Sequence, residues 1–167
     1  MKSLRQRNLE AIAQQTSTGA FHPAPTHLVT PGPRQMSDLN KNIGITRTQL
    51  NGYLAGLSEK HNFEAFGKVG FNTKDHFAQR LLRDRKDTFN KTYVAGFFQK
   101  LFESHRNEFM FTLQCGLKTD RIHIRKGINT IALEAVGDPD NMIVNVITIF
   151  KGHSQKDGMT YSIMEIN

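Results

Sequence analysis

Apolar residues follow a helical period through the middle of this chain and a period of two through its last third. From Lys74 onward, His76, Arg80 and Arg83 fall on one side of a helix at about 100° per residue, while Phe77, Ala78, Leu81 and Leu82 cover much of the rest. Thr73 is placed to cap it. A second helix, from Asn90 to Ser104, gathers Tyr93, Val94, Phe97, Phe98, Leu101 and Phe102 into one wide apolar arc that must be buried. Beyond it Phe109, Phe111, Leu113 and Cys115 alternate with Met110, Thr112 and Gln114, which predicts a half-buried strand. Ile122 and Ile124 then alternate with Arg121, His123 and Arg125, and Lys126-Gly127 marks a tight hairpin. The run MIVNVITIF from Met142 is apolar on both faces and predicts a central strand, entered through the turn Gly137-Asp138-Pro139-Asp140. Met159 to Ile166 reads as one more edge strand.

The N-terminal part is organised differently. Residues 3–15 predict a short helix with a narrow strip of Leu9, Ile12 and Ala13, capped by Ser3. From Thr16 to Gln35 prolines and glycines interrupt every period, which predicts a linker or an extended arm; the length of this stretch argues that residues 1–35 wrap over a neighbour or a partner, with disorder as the alternative. A boundary near residue 58 therefore separates an N-terminal helix, arm and helical segment from an α+β domain over 59–167. In that domain helices pack on one face of a small antiparallel sheet. The loop-like stretch SEKHNFEAFGKVGFN, with Gly67 and Gly70, joins the two parts.

Composition narrows the partners. The net charge is +7 and the pI about 9.7. Residues 1–110 carry 16 Lys/Arg against 9 Asp/Glu, and the remainder carries 6 of each. Such a balance makes a polyanion, and nucleic acid first, the leading partner class. No apolar run approaches the roughly 18 residues of a membrane helix and no signal-peptide pattern opens the chain, so the expectation is a cytoplasmic protein without membrane partners. The single Cys115 excludes an internal disulfide and any zinc site built on paired cysteines, and its strand-like surroundings predict simple packing. Scattered carboxylates suggest no metal, and no cofactor is expected.

Two resemblances carry functional expectations. Residues 36–58 resemble the helix-turn-helix of phage-repressor-type DNA-binding proteins. Gly44 stands in the turn, Ile45 follows it, Thr46 caps the second helix, and Leu50, Tyr53, Leu54 and Leu57 lie on the inner face. That resemblance implies that Arg47, Gln49 and Asn51 read DNA. Asn40, where the family has a small apolar residue, and Gly52 and Gly56 depart from it.

From Thr73 to His153 the chain resembles the RelE-like and RegB-like endoribonucleases of the barnase, EndoU and colicin group. The resemblance is carried by DHFAQRLLRDR, by TYVAGFFQK and by strands ending in NVITIFKGH. It implies a metal-independent endoribonuclease of phage or toxin type acting on mRNA, free or on the ribosome. His76 stands at one catalytic histidine position of that family, followed by Arg80. The second position falls at Gln99, which carries no proton.

Imidazoles and guanidiniums on one face supply what RNA cleavage needs: a base for the 2′-hydroxyl, an acid for the leaving 5′-oxygen, and fixed positive charge for the transition state. His123 is the counterpart proposed for His76, with Arg80, Arg83, Arg121, Arg125 and Lys151 as phosphate contacts. Asp84 and Asp87, at helical spacing from Arg80 and Arg83, would equally explain solvated ion pairs there. His105 and His153 are further possibilities; His105 falls by phase within the apolar arc, where a core histidine is expected. Two histidines sharing acid and base duties predict a rate bell between roughly pH 5 and 8. The alternatives are a non-catalytic DNA-binding regulator using 36–58, or a structural assembly protein that engages another chain through residues 1–35.

Overall fold

The structure is a computed structural model in which residues 33–83 and 89–167 are described, with side chains from residue 38. The expected helix over 3–15 and most of the arm after it lie outside the described residues, as do Asp84 and Asp87.

A long helix opens the described chain, α1 (Pro33–Lys60), with proline at the first position, where its missing N–H costs nothing. The turn expected at Gly44 is absent: α1 runs through Gly44, Gly52 and Gly56 without a break. Each glycine costs about 1 kcal/mol in a helix, and the burial of Ile43, Leu50, Leu54 and Leu57 on one side outweighs them. A single 3-10 turn (Phe63–Phe66) then leads into β1 (Lys68–Thr73). The glycines of this stretch predict a loop; Val69, Phe71 and Thr73 alternate toward the helices, which makes it a strand.

Next come α2 (Asp75–Leu82), α3 (Lys91–Ser104) and α4 (Arg106–Gly116). Asn90 caps α3 by accepting from the Tyr93 N–H at 2.8 Å. Thr73 does not cap α2: Lys74 stands at the cap without a side-chain bond, and the Thr73 N–H donates to Asn51 Oδ1. The strand expected over 109–115 is α4 instead. Phe109, Met110 and Leu113 are buried while Phe111 is 67% exposed, a pattern that fits a helix turn and contradicts an alternating strand. Gly116 closes this helix against Ile122, whose Cδ1 would lie 2.2 Å from an added Cβ. Cys115 is half-buried.

The last third forms β2 (Arg121–Lys126), β3 (Asn129–Asp138), β4 (Asn141–Lys151) and β5 (Tyr161–Ile166). The two hairpins fall where expected. Gly127 takes φ 61° in the first; in the second, Asp138 Oδ1 accepts from the N–H groups of Asp140 and Asn141 at 3.0 Å each.

The five described strands share one sheet in the order β1-β4-β3-β2-β5. The fold class is α+β as expected, but the sheet is mixed. Both edge strands, β1 on β4 and β5 on β2, run parallel to their neighbours, and the inner pairs are antiparallel. The expected central strand, β4, is interior, one place from the middle. Ile122, Ile124, Ile131, Leu133, Met142, Val144, Val146, Ile149, Met164 and Ile166 form one core with the apolar sides of the four described helices. The helices thus occupy one face of the sheet. No helix among the described residues is long and apolar enough to cross a membrane.

Candidate functional site

Because successive strand residues point to opposite faces, burying Ile122 and Ile124 under the helices sends Arg121, His123 and Arg125 to the outer face. Register then lines up their neighbours. Arg121 pairs with Tyr161, His123 with Ala132 on one side and Ile163 on the other, and Arg125 with Thr130 and Glu165. Phe150, opposite Thr130, completes the cluster from β4. Val136, Ile143 and Ile163 on this face are 40%, 44% and 44% exposed, while His123, Ala132 and Thr130 at its centre are buried beneath the side chains around them.

His123 lies at the middle of that cluster. Its ring centroid is 4.6 Å from that of Tyr161 and 5.6 Å from that of Phe150, the latter edge-on. The residue is 4% exposed and its Nδ1 has no hydrogen-bond partner. Burial first, then the charges of Arg125 and Arg121, push the imidazole pKa down to about 4. It is therefore neutral at physiological pH, and its Nδ1 is buried beside the Tyr161 and Phe150 rings.

The two guanidiniums are partly engaged. Arg121 Nη1 lies 3.2 Å from Glu134 Oε2 and donates to the Asp120 carbonyl at 2.8 Å. Arg125 Nη1 lies 3.9 Å from Glu165 Oε1, and its Nε is buried without a partner. Further toward β1, Asn72 donates to Asn145 across the β1–β4 pair at 3.1 Å.

His76 is not part of this cluster. It lies exposed on α2 with Arg80, and Arg83 follows at the C-terminal cap of that helix; the His76 side chain makes no bond among the described residues. The strand leading to it, β1, is separated from β2 by β4 and β3, which at about 4.8 Å per strand is roughly 14 Å. The proposed pairing of His76 with His123 is therefore not assembled. Arg80 sits over the Phe89 ring at 5.9 Å, and Arg83 is exposed.

Gln99 is exposed and donates to Glu103 within its own helix. His105 is not in the apolar arc, because α3 stops at Ser104; it occupies the joint between α3 and α4, half-buried, 3.4 Å from Glu108. The His153 ring bonds to the Gly127 carbonyl, tying the end of β4 to the β2–β3 turn, and Lys151 beside it is exposed.

The residues expected to read DNA are occupied elsewhere. Arg47 donates to the Thr73 carbonyl at 2.6 Å, to Asp75 at 2.8 Å and to Asn72 at 3.4 Å. Asn51 accepts from Thr73, and Gln49 is half-buried. Together Arg47 and Asn51 hold α1 to the joint between β1 and α2.

A cleft of about 400 Å³ opens between the end of α1 and β1, lined by Ala55, Ser58, Glu59, Asn62, Glu64 and Val69. Two carboxylates make it a poor match for a polyanion. Among the described residues no three His, Cys, Asp or Glu side chains are grouped closely enough to hold a metal ion.

Nothing local in the sequence marks Tyr161, Phe150, Glu134 and Glu165 as members of the site. Each stands at an outward position of a strand that is itself legible; the missing information is which strands are neighbours. Compared with family models, characterised proteins and solved structures, the chain matches none.

Proposed function

We propose that this protein acts on single-stranded RNA through the outer face of its sheet. The observation that carries this reading is the line of Arg121, His123 and Arg125 along β2, with the rings of Tyr161 and Phe150 packed on the histidine. Guanidiniums hold phosphates through fixed forks of donors. Aromatic rings on an open sheet face offer bases a stacking platform that tolerates any sequence. A duplex does not present unstacked bases to such a face, so single strands fit it better.

Cleavage of the endoribonuclease type is a second reading, favoured by the place of His123 between two guanidiniums, and it requires the Tyr161 and Phe150 rings to part, because Nδ1 is buried. A neutral imidazole accepts a proton from a 2′-hydroxyl, and Arg121 and Arg125 offset the charge that develops on the phosphorus oxygens. His76 lies too far away to be its acid, so the leaving 5′-oxygen takes its proton from water. With His123 titrating near 4, the acid limb of the rate profile moves below the pH 5 expected for two ordinary histidines.

The test is binding and cleavage of one labelled single-stranded RNA by the folded protein in EDTA, at two salt concentrations. The parent should bind with clear salt dependence, and the double variant Arg121→Gln, Arg125→Gln should bind at least about tenfold more weakly with its circular dichroism unchanged. Equal binding by that variant would remove the outer face from consideration. Cleavage lost on His76→Ala but kept on His123→Gln would return the active site to α2.

A further inference from the structure

We propose that Glu134 and Glu165 occupy the two arginines of the outer face as internal stand-ins for phosphate, so that RNA binds by exchanging carboxylate for phosphodiester at two points. This rests on the RNA-directed reading and adds to it what holds the site before RNA arrives. A carboxylate and a phosphodiester both present a pair of anionic oxygens to a guanidinium, and one displaces the other without changing its fork of donors.

The arrangement is built by register. Cross-strand neighbours place Glu134 on β3 opposite Arg121, and Glu165 on β5 opposite Arg125. Four residues along a strand, at about 3.3 Å each, separate the two arginines by roughly 13 Å. One phosphate does not span that distance, so the contacts belong to two phosphates of one strand. The two phosphates are therefore not successive ones, and the nucleotides between them pass over the Tyr161 ring, which packs on the buried His123.

The two pairs differ in how readily they open. Glu165 is 72% exposed at the side chain and 3.9 Å from Arg125, whose Nε has no partner. Its carboxylate leaves toward water at little cost, and a phosphodiester oxygen takes its place as acceptor at Arg125 Nη1. Glu134 is 33% exposed and 3.2 Å from Arg121, which also holds the Asp120 carbonyl. That exchange is the costlier one and sets the discrimination against weak anions.

The experiment measures Kd for a labelled single-stranded RNA with the full chain carrying Glu134→Gln, Glu165→Gln or both. Glu59→Gln on the helical side serves as control for the added net charge. Each outer-face substitution should tighten binding about two- to fivefold, the worth of a partly exposed ion pair, and the control should not. Gln variants no tighter than the control would overturn the exchange while leaving RNA binding in place. No binding by the parent or by any variant would overturn the RNA reading itself. Glu165, at the sheet edge and mostly in water, leaves the fold intact when changed, so the test does not depend on the stability of Glu134→Gln.

Discussion

The imidazole of His123 lies against the phenol ring of Tyr161, centroids 4.6 Å apart and planes inclined at 57°. A histidine held this way, 4% exposed and between Arg121 and Arg125, folds as the neutral base. In the unfolded chain it titrates near 6.5, and in the folded one near 4. Between those values the unfolded state binds more protons, so stability falls as pH drops from about 6.5 toward 4 and is undiminished above. Each tenfold loss of proton affinity is worth about 1.4 kcal/mol, which makes the fall in stability of order 2–3 kcal/mol. Urea midpoints at pH 7 and pH 4.5 should differ more for the parent than for His123→Phe. Equal differences would mean that His123 is not the group responsible.

Arg47 joins α1 to the end of β1 through the Thr73 carbonyl, Asp75 and Asn72. Arg47→Ala should lower the unfolding free energy by about 1–3 kcal/mol, since it removes a donor from the carbonyl of the buried Thr73 and breaks two further contacts. Denaturant titration checks the stability, and a duplex-DNA titration on the folded variant checks the alternative. A protein that reads DNA with this residue would keep its stability and lose binding.

Glycines in α1 give a contrasting case. An added Cβ at Gly44 or Gly52 meets nothing within 4 Å. Both positions are helical, so Gly44→Ala and Gly52→Ala should each stabilise by about 0.5–1 kcal/mol. Thermal melts decide it, and a drop in Tm for Gly44→Ala would restore the turn that the repressor-like pattern implies.

At the other end of the helical layer, Gly116 lets α4 approach β2 so closely that Ile122 Cδ1 and Cγ1 would lie 2.2 Å and 2.4 Å from an added Cβ. Ile122 is fully buried, so Gly116→Ala should cost about 1–3 kcal/mol by overpacking. Adding Ile122→Val to Gly116→Ala should recover part of that loss. A double-mutant cycle on unfolding free energies measures the coupling, and strict additivity would show that the two sites do not touch.

The residues themselves determined a good deal. The apolar arc of Tyr93 to Phe102 could be satisfied only by a buried helix. Alternation of Ile122 and Ile124 with Arg121, His123 and Arg125 fixed which side of β2 faces away from the core, because a one-residue slip would bury two guanidiniums. Gly127 and Asp138 marked both hairpins.

Where a stretch satisfies two periods at once, the chain could not choose alone. Residues 109–115 alternate like a strand and also place Phe109, Met110 and Leu113 on one side of a helix; the core decided by accepting those three and leaving Phe111 outside. Gly44 permits a turn or a helix, and the apolar side of α1 against β1 and α2 settled it. The site is likewise a product of tertiary structure. Which strands are neighbours depends on long-range pairing that no local pattern encodes, and that pairing set Tyr161, Phe150, Glu134 and Glu165 around Arg121, His123 and Arg125. The same pairing put two strands between His76 and His123, because β1 joins the sheet beside β4 at the edge far from β2.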